Sequence, residues 1–253
     1  MKISPLLALL LLTASPIAAA PAANPVAAAV AAPDRPADQV ELDASRKPVE
    51  VLTFLGLKSG DRVLDVMGGQ GYYSEIIGKA VGSKGRVIVL EPPSYMEDAK
   101  VKAGWAALIQ RTPNVSLQVG APGDIKLAPD SLDFVLMHLT YHDTYWESAK
   151  YKYPRMDPAA FLAKIRAAVR PGGIVGVIDH VGTPGAEPRA EVDKTHRIDP
   201  AVISADFAKA GFVLEAESTL LANPADDHGK LVFDPAVRGN TDRVVYKFRR
   251  PKA

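Results

Sequence analysis

Five histidines occur in the 253-residue chain: His138, His142, His180, His196 and His228. His138 and His142 follow one apolar run, and His180 closes another beside Asp179. An imidazole titrates near neutral pH, so one held against a bound hydroxyl or amine can take up its proton. His142 is the expected base, oriented by Asp143 or Asp179, with His180 completing the catalytic set. The plainer role for each histidine is a hydrogen bond to loop backbone. Tyr141, Tyr145, Trp146, Tyr151 and Tyr153 surround His142 in sequence, and they read either as a substrate wall or lid or as packing for a long loop. Asp179, His180 and His142, with His228, Asp226 and Asp227, would suit zinc or a transition metal better than magnesium. Their spacings match no local metal motif, and no metal site is expected.

The second chemistry-bearing stretch is Val63-Leu64-Asp65-Val66-Met67-Gly68-Gly69-Gln70-Gly71-Tyr72-Tyr73. It reads as a buried strand with an acid near its end, then a glycine cluster, then a helix. Glycines let the backbone turn tightly and approach a ligand, because no Cβ intervenes. Glu91 ends the next strand, where an acid can accept hydrogen bonds from ribose hydroxyls. A dinucleotide site prefers G-x-G-x-x-G, and here Tyr72-Tyr73-Ser74 follow Gly71, so the third glycine is missing. The close helix approach that a pyrophosphate requires is therefore not provided.

The elements that must position these residues alternate. Strands are expected at 63–66, 86–90, 115–119, 132–137, 174–178, 212–218 and 243–248. Helices are expected around Val49 to Leu55 and at 73–81, 96–109, 158–169 and 201–210. Asp157 is placed to cap a helix that opens with Pro158. The turn Arg170-Pro171-Gly172-Gly173 should precede the fifth strand. Such alternation implies right-handed βαβ units and a doubly wound sheet. Two consecutive strands at the end suggest an antiparallel hairpin at or near the sheet edge, although the 222–242 connection is longer than an ordinary hairpin loop. The segment Arg238 to Arg243 could close over the site or form a salt-bridged surface turn. Arg46 and Lys47 read as a solvated helix start.

With Asp65, the glycines, Glu91, Asp133 and the Arg-Pro-Gly-Gly turn in place, the sequence resembles the class I S-adenosylmethionine-dependent methyltransferases. More narrowly, it is similar to predicted methyltransferases that carry G-G-x-G, then Tyr or Trp, then Tyr or Phe, and a late R-G-x-T-D-R segment, here Arg238 to Arg243. The resemblance runs from about Arg46 to the C-terminus. It implies an α/β fold with a doubly wound, mostly parallel seven-stranded sheet whose last strand is antiparallel. The implied cofactor is S-adenosylmethionine, which has no phosphate. Asp65, Gly69 and Gly71 would line its methionine end and Glu91 would hold its ribose, with Gly68, Tyr72 and His138 in the same pocket. The sequence departs from the family at Met67, which occupies the first glycine position of D-x-G-x-G-x-G. It also departs at Ala121-Pro122, where an acid near the adenine is usual, and Asp124 is the substitute. The Asn/Asp-Pro-Pro-Tyr motif of exocyclic amine methylation is missing, so adenine or cytosine N-methylation is not expected; the expected acceptor is a small molecule with an oxygen or nitrogen nucleophile.

Lys and Arg number 30 against 29 Asp and Glu, with no strong basic run, so no nucleic-acid partner is expected. The absence of cysteine excludes disulfides, Cys-zinc sites and thiol nucleophiles. Lys2, the apolar run 6–12 and the alanines that follow read as a secretory signal peptide over 1–23. Residues 24–36 read as a flexible Ala/Pro-rich linker, and the folded domain is expected over 37–253. These readings imply a periplasmic or secreted protein with no stable membrane anchor. Export conflicts with a cofactor that is made in the cytosol. One alternative is an exported, non-catalytic methyltransferase-fold protein that binds a small ligand or metal. Another is a different hydrolytic or metal-dependent enzyme on the same scaffold.

Overall fold

The computed structural model describes residues 24–252. The signal-peptide expectation over 1–23 lies outside them.

Seven strands form one sheet: β1 Arg62–Val66, β2 Arg86–Glu91, β3 Val115–Val119, β4 Leu132–His138, β5 Val169–His180, β6 Val213–Ser218 and β7 Arg243–Arg249. Their order is β3-β2-β1-β4-β5-β7-β6. Strands β1 to β5 pair in parallel, and β7 runs antiparallel between β5 and β6. This is the expected doubly wound, mostly parallel α/β sheet with an antiparallel last strand. The order reverses at β1, whose neighbours β2 and β4 diverge, and such a switch point opens a crevice at the strand carboxyl ends. β1 and β4 are apolar on both faces because helices cover both sides.

The helices are α1 Pro25–Val30, α2 Ala37–Val40, α3 Asp43–Arg46, α4 Pro48–Leu55, α5 Tyr72–Val81, α6 Ala99–Arg111, α7 Pro158–Ala168, α8 Pro188–Thr195 and α9 Pro200–Lys209. One core joins α1, α4, α5 and α6 to the first face of the sheet. The second core sets α7 and α9 against the other face, around Phe161, Phe207 and Phe248. Asp157 caps α7 as expected, accepting from the backbone N–H of Ala159 at 2.9 Å.

Two expectations need correction, and a third residue, Asp133, opens the fourth strand as expected. Residues 24–36 are not a linker. The Asn24 side chain accepts from the N–H of Val26 at 2.9 Å, Pro25 takes the first helical position, and Val26 and Ala29 are buried against α4 and α5. The low-complexity composition conceals a capped helix whose small residues allow close approach, so residues 24–30 belong to the described fold. The Arg-Pro-Gly-Gly stretch lies within β5, because Val169 already pairs with Leu132 and Gly172 bonds Arg250 across the sheet. Asp133 sits at the amino end of β4, away from the crevice, between Arg62 (2.8 Å) and Arg170 (2.5 Å). Those two cations hold its carboxyl well below the usual range, so its role is structural.

Candidate active site

The carboxyl ends of β1, β4 and β5 open into a cavity of about 1060 Å³. One half is walled by the glycine loop and the other by histidines and aromatics.

The turn after β1 uses left-handed conformations at Met67 (φ 52°), Gly69 (φ 65°) and Gly71 (φ 80°). Met67 therefore supplies the backbone shape of the glycine it replaces. The three glycines do different work. A Cβ on Gly68 would meet Ser74 Oγ at 2.7 Å and Asp65 Oδ2 at 2.9 Å. A Cβ on Gly71 would strike Leu108 at 2.2 Å, so this glycine seats α6 and does not line the cavity. Gly69 lines the cavity, and a Cβ there would meet nothing within 4 Å.

Asp65 is buried at the cavity wall and accepts the Ser74 hydroxyl at 2.6 Å; burial lifts its carboxyl to about 6. Glu91 is fully buried. Its Oε1 accepts the Gly69 N–H at 2.6 Å, while Oε2 has no partner. Desolvation pushes this carboxyl up to about 8. The Trp105 indole N–H donates to the Gly69 carbonyl at 3.1 Å, so both sides of that peptide are held. Sequence reasoning missed Trp105; its 36-residue separation from Gly69 carries no local signal.

Tyr72 lines the cavity and donates its hydroxyl to Asp43 at 2.6 Å, and Asp43 in turn pairs with Arg35 at 2.7 Å. The Arg46 guanidinium lies 4.4 Å from the Tyr72 ring centroid and also lines the cavity. It makes no salt bridge among the described residues, and burial lowers its pKa. The solvated helix start expected at Arg46 is thus part of the site wall.

His138 packs at a tilt against Tyr73 with centroids 4.7 Å apart, and its Nε2 is buried without a partner. Burial, with Arg46 and Arg243 nearby, keeps this ring neutral. His142 and Asp179 form a tight pair: Nδ1 lies 2.7 Å from Asp179 Oδ1, and the His142 backbone N–H donates to Oδ2 at 2.9 Å. Asp179 is therefore the orienting carboxylate. Asp143 lies on the other side of the ring, 3.5 Å from Nε2. The two carboxylates outweigh burial and raise the imidazole to about 9. His180 lines the cavity and engages Thr241 Oγ1 through Nδ1 at 2.7 Å; burial holds it neutral. Thr241 is braced by Arg243, which also reaches the Ser45 carbonyl. The Arg238 to Arg243 run thus divides, with Arg238 at the cavity and Thr241 and Arg243 buried beneath it.

The aromatic segment divides as well. Tyr141 and Tyr145 donate to Asp206 and belong to packing, whereas Trp146, Tyr151 and Tyr153 line the cavity. Asp124 is exposed and borders separate surface depressions, so it does not substitute for an adenine-side acid in this cavity. His228 faces Asp242, and Asp226 is buried against Arg197 at 2.7 Å. The metal set considered from sequence is therefore not assembled. His196, which sequence reasoning left without a role, does reach the cavity beside His142.

The order of the sheet and a glycine-loop crevice at its switch point define the class I methyltransferase-type α/β fold. Residues 38–121 match the protein-L-isoaspartate(D-aspartate) O-methyltransferase family, a stretch that includes the glycine loop and Glu91. A S-adenosylmethionine-dependent methyltransferase from Aquifex aeolicus is similar at 20% identity and a TM-score of 0.57, covering 84% of this chain and 93% of its own. One from Mesorhizobium loti is similar at 15% identity and 0.56, covering 83% and 100%. The cyclase SpnF is similar at 16% identity and 0.58, covering 83% and 82%. No curated protein matches the chain.

Proposed function

We propose that the protein transfers a methyl group from S-adenosylmethionine to a small-molecule acceptor with an oxygen or nitrogen nucleophile. The observation that carries this reading is one cavity that joins the glycine loop to the His142–Asp179 pair. Its loop side fits the cofactor: Gly69 leaves open space, and behind Gly69 the Glu91 Oε2, which does not itself line the cavity, is a buried acceptor without a donor that a ribose hydroxyl could supply. The bound cofactor supplies an electrophilic methyl group. Asp65, Gly68 and Tyr72 shape the same wall, and Arg46 offers a cation to a carboxylate. His142 would present Nε2 to the acceptor. Raised to about 9 it is protonated at neutral pH, so it would take the acceptor's proton only in its neutral form, whose hydrogen Asp179 holds on Nδ1.

The family match covers residues 38–121; that family's name gives a protein isoaspartate as acceptor, and the half of this chain that carries His142 lies outside the match. Trp146, Tyr151 and Tyr153 roof the acceptor half, which favours a small, partly apolar molecule over a protein chain. Export remains part of the proposal. Cleavage after Ala23 would leave the Asn24 cap and the whole described fold intact.

Calorimetric titration of the purified protein with S-adenosylmethionine and S-adenosylhomocysteine tests the reading. Micromolar binding supports it. A folded protein that binds neither at millimolar ligand would be a borrowed scaffold for other chemistry, as the cyclase on this fold already illustrates.

A further inference from the structure

We propose that His142, His196 and Asp143 form a divalent metal site of the zinc class on the acceptor side of the cavity. The site stands on its own geometry; with an ion bound, Nε2 of His142 would be a ligand in place of the base, and the use of that ion in presenting an acceptor rests on the reading above.

One ligand atom from each of the three residues lies within 4.8 Å of the other two. Both imidazoles have Nδ1 committed: His142 to Asp179 at 2.7 Å, His196 to the Val192 carbonyl at 3.0 Å. A carbonyl only accepts, so His196 carries its hydrogen on Nδ1 and its lone pair on Nε2. Asp179 imposes the same tautomer on a neutral His142. Engagement of the outer ring nitrogen by a carboxylate or carbonyl is how metal-binding histidines are oriented.

The Asp143 contact fits the same account. Its carboxylate lies 3.5 Å from His142 Nε2, too long for a good charge-assisted hydrogen bond of about 2.7–2.9 Å. Two donors that share an ion at about 2.0–2.1 Å sit about 3.4 Å apart in a tetrahedral shell. The gap between Asp143 and His142 is thus already that of neighbouring ligands, and His196 has only a short approach to make.

His196 is held for this position. It caps α8 in the left-handed conformation (φ 54°), which is uncommon for histidine and turns its ring to 5.3 Å from that of His142. Trp146 and Phe233 pack on the ring at 4.9 and 5.3 Å. Two imidazoles and one carboxylate with an open position are a donor set for catalytic zinc and its neighbours, whereas magnesium and calcium prefer oxygen ligands. All three residues line the cavity, so the open position faces an acceptor that offers an oxygen ligand.

Chelator-treated protein would be titrated with cobalt(II), followed by its visible absorption, and then displaced by zinc(II). One ion per chain is expected. His196→Asn keeps a residue that tolerates the left-handed backbone yet lacks the imidazole, and it should weaken binding on the order of 100-fold; Asp179→Asn should weaken it by about 10–100-fold. His228→Ala, outside the cavity, should bind as the parent does. No cobalt spectrum, or undiminished binding by folded His196→Asn, overturns the site. S-adenosylhomocysteine is titrated into the same metal-free protein. Its binding without any metal binding leaves the cofactor reading standing and removes only the metal, and the converse result removes only the cofactor reading.

Discussion

Oε1 of Glu91 accepts the backbone N–H of Gly69 at 2.6 Å, and Oε2 of the same buried carboxyl meets no partner. One oxygen therefore fixes the loop, and the other is a buried acceptor without a donor. Burial lifts the group to about 8, so it is largely protonated at neutral pH. Ribose hydroxyls donating to Oε2 would favour the carboxylate and expel that proton.

Cofactor binding at pH 7 is accordingly expected to release a proton. Titration in buffers of different ionisation enthalpy measures it, and Glu91→Gln should abolish the release and weaken binding. Stability carries a second signature. A carboxyl at about 8 when folded and near 4.5 when unfolded binds its proton more tightly in the native state. The stability this gives is complete below pH 4.5 and is lost as pH rises through 8. Glu91→Gln cannot ionise, so it should gain on the parent between pH 5 and pH 8.5, by on the order of a few kcal/mol. Parallel urea-melt profiles for the two proteins would contradict the assignment.

Gly69 and Gly71 should respond oppositely to a side chain. Gly69→Val points into open space but strains a backbone at φ 65°, so it should lose about 1–3 kcal/mol of stability, still fold, and fail to bind S-adenosylhomocysteine. Gly71→Ala places its Cβ against Leu108 at a backbone φ of 80°, and overpacking should cost about 1–3 kcal/mol. Melting curves paired with titrations separate the two. Unchanged affinity in folded Gly69→Val would remove the loop from the cofactor site.

His142 and Asp179 should act on turnover and spare cofactor affinity. His142→Ala removes the group that faces the acceptor. Asp179→Asn keeps the shape but favours the wrong tautomer, and a loss of about 10²–10⁴-fold in kcat is expected for either. Asp179 also accepts two backbone N–H groups, from His142 and His180, so the asparagine variant is checked for folding by near-UV circular dichroism. Full turnover in His142→Ala would end its role.

Strands are legible in this chain where burial on both faces produces continuous apolar runs, as at Val63 to Val66 and Leu132 to Met137. The glycine loop is legible because three left-handed positions leave few residue choices. What stayed hidden depended on distant partners. Pro25 to Val30 has linker composition, and only its packing against α5 shows it to be a folded helix. Helix α8 is mostly polar in sequence, so nothing local announced that its cap residue His196 would face His142.

Arg46 extends the site into the N-terminal segment. It ends α3, covers the Tyr72 ring and faces the cavity without a carboxylate of its own among the described residues. Asp43 is nearby but already serves Arg35 and the Tyr72 hydroxyl. A cation so placed, on the glycine-loop side, is suited to the carboxylate of a bound amino-acid moiety. Hydrogen bonds to charged groups are worth about 1.5–3 kcal/mol, so Arg46→Gln should weaken S-adenosylhomocysteine binding roughly 10- to 150-fold. Arg46→Lys should recover only part of this, because an ammonium cannot make the paired contact of a guanidinium. Methylthioadenosine, which has no carboxylate, provides the control and should bind the parent and Arg46→Gln alike. Equal losses for both ligands would mean that Arg46 supports the fold of the wall and does not touch the cofactor's carboxylate.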